Sequence, residues 1–290
     1  MTRLYFAVIL AFLLLPAAGQ TEEKTIYKIG IPRSMFRDLP PALVAFAGQP
    51  FSDLVKDQTG LNAEIVQDPE WVTVAKAIDD GKLHLGVFQG HEFAWAQAKY
   101  PTLQPLVCLH YRPKEFQGII LIRADSKAKN LGDLKGSKLV LASTLKDHAR
   151  LFFHKRRADE MGDGEFSSTA EADSVHEGIH LLQDKKADVT VADFADWSYF
   201  QKLYPGPSQN LKILAKSELF PPTVLAFQKG NLDEDTLKKI RDGFLTVHTS
   251  AKGARMMRLI RIERFDPVAA DYDESLKTCR KTYPKPLGEK

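Results

Sequence analysis

Features that would mark a specialised class of protein are scarce in this sequence of 290 residues. Its two cysteines, Cys108 and Cys279, are too few for a disulfide-rich scaffold. In an exported chain they could form one disulfide or stay as two buried free thiols. The 40 basic and 37 acidic residues nearly cancel, and no basic run suggests a nucleic-acid partner. What remains is a globular balance of 44% hydrophobic and 27% charged residues.

The first 19 residues have the layout of a secretory signal peptide. Arg3 supplies a basic start, residues 4–15 are apolar, and Ala17 and Gly19 are small residues that suit signal-peptidase cleavage. The apolar run is shorter than the ~20 residues of a membrane span, although an uncleaved anchor helix is an alternative. No cysteine lies near the cleavage point, so we expect no lipid anchor. The mature chain is therefore predicted to be periplasmic.

Hydrophobic periodicity predicts two successive α/β units followed by helices. The first unit has expected strands at 25–31, 63–66, 83–88 and 103–111, and helices at 40–60 (interrupted at 48–50), 68–80 and 91–99. The second has expected strands at 118–123, 139–142, 188–192, 212–215 and 223–227, and helices from 143 to 161, 174–183 and 196–203. Further helices are expected at 233–249, 251–262 and 273–281. The alternation of strands and helices predicts an α/β fold.

Short motifs stand in a particular order along the chain: GKLHLGVFQG at 81–90, NLGDLKGSKLV at 130–140, SVHE at 174–177 with KADV at 186–189, PPTV at 221–224 and LDEDTL at 232–237. In this order they resemble the phosphate/phosphite/phosphonate-type substrate-binding proteins of ABC transporters. The resemblance covers nearly all of residues 25–275. At the hydroxyl-rich loop of that family, this chain has only Ser143 and Thr144. The identity of the anion therefore stays open.

The resemblance implies an α/β, two-lobe type 2 periplasmic-binding-protein fold, each lobe a mixed sheet flanked by helices. Lobe 1 would comprise residues 25–110 and 223–290, and lobe 2 residues 114–216, joined by two crossover hinge strands. A small oxyanion such as phosphate or a phosphonate would bind between the lobes, which would close over it. The closed form would dock on the membrane permease of an ABC importer. The resemblance implies neither catalysis nor a cofactor, and we expect a monomer.

In lobe 1, the candidate ligand-binding residues follow predicted strands, because α/β sheets bind ligands beyond the carboxyl ends of their strands. Arg33 and Ser34 follow the first strand, and Gln89, Gly90 and His91 follow the third. Arg33 suits a bidentate contact with an anion. The alternative for Arg33 is a solvated position in a loop.

In lobe 2, the candidates lie where predicted strands meet helices. They are Ser143, Thr144, Lys146 and His148 before one helix, and Asp193 after the strand at 188–192. A helix N-terminus presents free N–H groups and a partial positive charge, which favour an anionic ligand. Alternatively, Ser143 or Thr144 only caps that helix.

His176 is the last candidate ligand-binding residue, because the resemblance places a ligand-contacting histidine there. Ser174 and Glu177 have the spacing of a capping box around it. The same segment, from His176 to His180, also matches the H-E-x-x-H motif of zinc hydrolases. A zinc-dependent hydrolase is therefore one alternative function, and a periplasmic ligand sensor that acts on a membrane receptor is another. We assign neither a metal site nor a catalytic residue.

Overall fold

A computed structural model describes residues 25–37, 41–68, 70–111, 116–260 and 262–286, without the side chains of residues 41, 43, 45 and 47. The predicted signal peptide lies outside the described residues. Two mixed β-sheets with flanking helices form the fold. None of the helices in these ranges combines the length and the apolar character that crossing a membrane requires.

The first sheet has six strands: β1 (Ile26–Pro32), β2 (Asn62–Asp68), β3 (Leu85–Phe88), β4 (Leu103–Tyr111), β10 (Val224–Gln228) and β11 (Ile262–Asp266). Their order across the sheet is β11-β4-β10-β3-β1-β2. Strand β1 runs parallel to β2 and β3, whereas β10 runs antiparallel to β3 and β4. The carboxyl ends of β1 and β3 therefore lie at the same edge of the sheet.

The second sheet has five strands: β5 (Gly118–Arg123), β6 (Lys138–Ala142), β7 (Ser168–Ala172), β8 (Val189–Asp193) and β9 (Leu211–Lys216). Their order is β7-β6-β8-β5-β9. Strand β6 runs parallel to β7 and β8, and β5 runs antiparallel to β8 and β9. Each sheet thus has three parallel strands, with an antiparallel strand beside them: β10 in the first sheet and β5 in the second.

The helices divide between the two sheets. Those with the first sheet are α1 (Pro41–Thr59), α2 (Trp71–Asp79), α3 (Gly90–Lys99), α8 (Glu234–Thr246), α9 (Ala251–Leu259) and α10 (Tyr272–Thr282). Those with the second are α4 (Asp147–Met161), α5 (Val175–Gln183), α6 (Phe194–Leu203) and the short α7 (Pro205–Ser208). Hereafter, lobe 1 means the first sheet with its helices, and lobe 2 the second sheet with its helices. Side chains of Ser174, Asp193, Asp233 and Ser250 cap four of these helices and set where they begin.

The chain passes between the lobes after β4 and after β9, and the described residues 116–117 of the first connection lie beside residues 217–220 of the second. The Gln117 Nε2 donates to the carbonyl oxygen of Ser217 at 2.6 Å. The backbone N–H of Phe220 donates to the carbonyl of Phe116 at 2.9 Å. These bonds tie the two connections together, so a relative motion of the lobes has to bend both at once.

The structure differs from the sequence-based expectations at several elements, of which the short helix α7 is one. Helix α1 runs without a break through residues 48–50, although Pro50 lies inside it. Its buried residues Leu54 and Val55 pack into the core of lobe 1, which outweighs the local breaker signal. The expected helix 251–262 ends at Leu259, and β11 follows it. Strand β7 was not predicted, because it is an exposed strand at the sheet edge with only one apolar residue type, alanine, in its sequence.

Of the two alternatives for Cys108 and Cys279, a disulfide or two buried free thiols, the structure has the free thiols. Both cysteines are free and buried, Cys108 in β4 and Cys279 in α10. Burial raises the pKa of Cys108 to about 12 and that of Cys279 to about 11. Both thiols therefore stay protonated at neutral pH and act as small apolar core groups.

Gly90, the first residue of α3, lies close to Pro221 in the connection that follows β9. A substitution at Gly90 tests this close approach. A Cβ on Gly90 would lie far inside van der Waals contact with the carbonyl group of Pro221. We expect Gly90→Ala to lower the free energy of unfolding by about 1–3 kcal/mol, because backbone has to move. Gly48→Ala is the matched control, since its Cβ would meet no atom within 4 Å. Urea unfolding that gives both variants the same midpoint would contradict the close approach.

Candidate functional site

A cavity of about 880 Å³ is lined by residues from both lobes. Lobe 1 contributes Ser34 and Gln89, which follow β1 and β3. Lobe 2 contributes Lys146, which precedes α4, together with His148 and Asp193. All five residues were among the eleven candidates from the sequence. They meet because the parallel strands of each lobe bring their carboxyl ends to one edge, and the two edges face each other.

Asp193 is the centre of the polar cluster on the lobe 2 side. It is the N-cap of α6 and accepts the N–H of Ala195 at 2.7 Å. Its other oxygen lies 2.6 Å from Nε2 of His148, and both side chains are 2% exposed. The Nζ of Lys146 lies 3.4 Å from Asp193 and 3.7 Å from Asp196. The cluster therefore positions two potential donors, Lys146 and His148, at the wall of the cavity.

The charge of Asp193 is set by opposing effects. Burial alone would raise the pKa of its carboxyl group. The ammonium group of Lys146 and the hydrogen bond with His148 outweigh this effect and hold the pKa of Asp193 below its usual range. Asp193 is thus ionised at neutral pH, and its negative charge stabilises the positive charge of Lys146 inside the lobe.

Gln89 and Ser34 are linked on the lobe 1 side. The Gln89 Nε2 donates to the carbonyl of Ser34 at 2.8 Å, and the N–H of Gln89 donates to Oε2 of Glu92 at 2.9 Å. Glu92 is 1% exposed, and burial raises its pKa to about 8, although the hydrogen bond from the Gln89 N–H lowers it. Sequence reasoning missed Glu92. Its position three residues after Gln89, at the start of a helix, is the capping-box signal that could have found it.

An ion pair between Arg37 and Asp147 connects the two lobes beside the cavity. The Arg37 Nη2 lies 3.1 Å from Oδ1 of Asp147, the first residue of α4. About a quarter of each side chain is exposed. A pair with this much exposure contributes about 0–1 kcal/mol, so it is a weak contact between the lobes.

Three lobe 1 candidates lie away from the described cavity lining. Arg33 is exposed on a short 3-10 helix. Gly90 and His91 are buried behind Gln89, and the ring of His91 lies 6.0 Å from that of Phe220. Burial, and then the nearby His148, lower the pKa of His91 to about 3, so its imidazole is neutral. Gly90 and His91 therefore support the wall rather than form it.

Three lobe 2 candidates are also absent from the described lining. The Ser143 Oγ donates to the carbonyl oxygen of Asp173 at 3.1 Å, which holds this loop to the residue before the α5 cap. Thr144 is partly buried beside it. The ring of His176 stacks on Tyr199 with a centroid distance of 5.6 Å. Ser143 thus forms a hydrogen bond within the loops, and His176 packs against an aromatic ring of α6.

The H-E-x-x-H segment has a structural role. Ser174 Oγ accepts the N–H of Glu177 at 3.2 Å, and Glu177 accepts the N–H of Asp173 at 2.7 Å. The Nδ1 of His180 lies 3.1 Å from Oε1 of Gln183. Across the described ranges, no three His, Cys, Asp or Glu side chains are grouped so that they could hold a metal ion. The capping role thus accounts for Glu177.

Residues 38–272 match the family model described as ABC transporter, phosphonate, periplasmic substrate-binding protein. The protein belongs to this family. Members of the phosphonate-binding family are periplasmic and non-enzymatic, and they bind small anionic ligands and deliver them to an ABC permease. The zinc-hydrolase alternative is therefore wrong. A comparison with curated proteins gives no match.

Several solved structures share the fold. XAC2383 from Xanthomonas citri, bound to chloride, is 15% identical with a TM-score of 0.64, and the match covers 88% of this chain and 99% of that chain. A binding component of an ABC phosphonate transporter from Pseudomonas aeruginosa is 15% identical, with coverage of 89% and 86% and a TM-score of 0.61. PhnD1 from Prochlorococcus marinus, in complex with methylphosphonate, is 14% identical, with coverage of 88% and 97% and a TM-score of 0.61. The two-lobe, type 2 periplasmic-binding-protein fold is thus confirmed.

The buried position of Asp193 leads to a stability prediction. Asp193→Ala leaves His148 enclosed without its partner, and we expect it to lower the free energy of unfolding by about 3–5 kcal/mol. Asp125→Ala is the control, because Asp125 also pairs with a basic side chain, that of Arg123, but its own side chain is 70% exposed. The control should change stability by less than about 1 kcal/mol. Equal losses in chemical denaturation would argue against a buried cluster.

The raised pKa of Glu92 leads to a prediction about pH. The folded protein keeps a proton that the unfolded chain releases between the ordinary value of 4.5 and about 8. The free energy of unfolding should therefore fall as pH rises through this window. Glu92→Gln should reduce this slope, whereas Glu177→Gln, at an exposed cap, should keep it. Unfolding curves at several pH values measure the slope, and an unchanged slope in Glu92→Gln would disprove the assignment.

Proposed function

We propose that this protein captures a small oxyanion in the cleft between its lobes and delivers it to the membrane permease of an ABC importer. The observation that carries the proposal is the meeting of Ser34, Gln89, Lys146 and His148 around one cavity, with Asp193 behind them. Phosphate, phosphonates and related anions form the ligand class. We further propose that residues 1–19 direct export and are cleaved, that no lipid anchor is attached, and that the mature protein is a monomer.

Lobe 2 offers the contacts that suit the anionic group. Lys146 provides a positive charge directly before α4, and the first turn of that helix presents backbone N–H groups. The ionised Asp193 holds Lys146 and His148 in place, so little side-chain freedom is lost when a ligand binds. Asp193 and Asp196 also place negative charge close by. This arrangement favours an oxyanion that keeps one proton, since a hydroxyl on the ligand can donate to a carboxylate.

Lobe 1 supplies the opposing polar groups, at Ser34 and Gln89. A ligand that touches both lobes interacts more strongly with the closed form than with the open form, and it therefore shifts the population towards closure. The Arg37–Asp147 pair adds to closure from the rim. The proposed hinge consists of the two crossover strands near residues 106–112 and 211–225, with lobe 1 at 25–110 and 223–290 and lobe 2 at 114–216.

The test is thermal unfolding of residues 20–290 against phosphate, phosphite, methylphosphonate and sulfate. A ligand that binds only the folded state contributes about 2.7 kcal/mol at 100 times its dissociation constant. At roughly 2–4 °C per kcal/mol, the midpoint should rise by several degrees. Lys146→Met should remove most of this rise, whereas Lys138→Met, at an exposed lysine outside the cavity, should not. The proposal would be wrong if no anion raised the unfolding midpoint, or if the midpoint rose equally in Lys146→Met and Lys138→Met.

A further inference from the structure

The cavity is much larger than a simple oxyanion requires. Its volume is about 880 Å³. Phosphate or methylphosphonate needs only the space of a few water molecules, at about 30 Å³ each. Pockets of roughly 300–1,000 Å³ hold ligands the size of a drug molecule. The polar cluster around Lys146 and His148 therefore accounts for only part of the cavity.

The lobe 1 part of the lining is mostly apolar, although Gln67, Arg258 and Glu263 also contribute to it. Each of five strands in the first sheet contributes an aliphatic side chain to it, from one face of the sheet: Ile31, Ile65, Val87, Leu109 and Leu225. On the opposite side, α1 contributes Val44, Gly48 and Phe51. We call this part of the cavity the apolar chamber. It is continuous with the polar cluster, since one cavity contacts both sets of residues.

The helix wall of the chamber leaves space open at one position. Val44, Gly48 and Phe51 have the spacing of residues that share one face of a helix. Between the two larger side chains, Gly48 has none, and a Cβ built there would meet no atom within 4 Å. Protein interiors are otherwise packed with few voids larger than a water molecule. An apolar space of this size is therefore better explained by a ligand group than by imperfect packing.

We infer that the ligand is an amphiphilic oxyanion, such as an alkyl or aryl phosphonate, whose tail fills the apolar chamber while its anionic head contacts the Lys146 cluster. This inference rests on the proposed function and specifies its substrate class. The chamber walls favour an apolar tail, because water there would make few hydrogen bonds; even an apolar cavity of about 150 Å³ stays dry and binds benzene. At the other end, the charge of Lys146 and the backbone N–H groups of the first turn of α4 favour a head group that carries negative charge.

The first measurement is calorimetric titration of the mature protein with n-alkylphosphonates from methyl to octyl, each below its micelle concentration. Each buried methylene should tighten the dissociation constant about fourfold until the chamber is full. The heat capacity change of binding should become more negative with chain length. Octyltrimethylammonium, with the same tail and a cationic head, should bind far more weakly. Equal binding of this cation would overturn the assignment of an anionic head.

Variants at Gly48 test whether the tail occupies the chamber. Gly48→Phe places a ring in the open space on α1 and should flatten the dependence of affinity on chain length. Gly48→Ala raises helix propensity in the same way but fills little space, so the dependence should persist. If the dependence is equally steep in Gly48→Phe and Gly48→Ala, the tail lies elsewhere and the inference fails.

The same measurements distinguish an error about the apolar tail from an error about the capture of a small oxyanion. If methylphosphonate or phosphate binds and affinity does not rise with chain length, the inferred tail is wrong, while the capture of a small oxyanion stands. If no member of the series binds and the inorganic oxyanions give no thermal shift, both are overturned.

Discussion

The carboxylate of Asp193 is the group on which the cleft side of lobe 2 depends. It is almost completely buried, yet it is ionised, because Lys146, His148 and the first turn of α6 all direct positive charge or hydrogen-bond donors at it. A buried charge is stable only with such partners. The same contacts fix the two side chains that face the cavity. Stability of the lobe and preorganisation of the site are therefore consequences of a single electrostatic arrangement.

The rest of the site follows from how the lobes are joined. Two adjacent connections hold the carboxyl edges of both sheets against each other, and the cavity forms where these edges meet. Lobe 2 contributes mostly charge, whereas lobe 1 contributes mostly apolar surface. Because the two lobes differ in this way, the cavity suits the inferred amphiphilic ligand better than a simple oxyanion. In such a site, the anionic head group sets the orientation of the ligand. The tail adds binding free energy in proportion to the apolar area that it buries.

Strong local patterns were read correctly from the sequence. The apolar run at 118–123 is β5, with the same bounds as predicted, and Ser174 caps α5 as its spacing with Glu177 indicated. The errors fall where tertiary contacts override local signals. Strand β7 lacks a hydrophobic pattern, because it is an exposed edge strand that β6 pairs with. Helix α1 continues through Pro50, because its buried face contributes more than the lost hydrogen bond costs.

The sequence by itself determined the α/β class, the family resemblance and the strand ends at which Ser34, Gln89, Lys146, His148 and Asp193 lie, because these follow from local periodicity and short motifs. Only the tertiary structure decided which candidates face the cavity. It placed Ser143 and His176 in loop and ring contacts, kept both cysteines as free thiols, and enclosed Glu92. The distances between these residues, their burial and their pKa values depend on side chains that are remote along the chain. A local sequence pattern does not show which remote side chains these are.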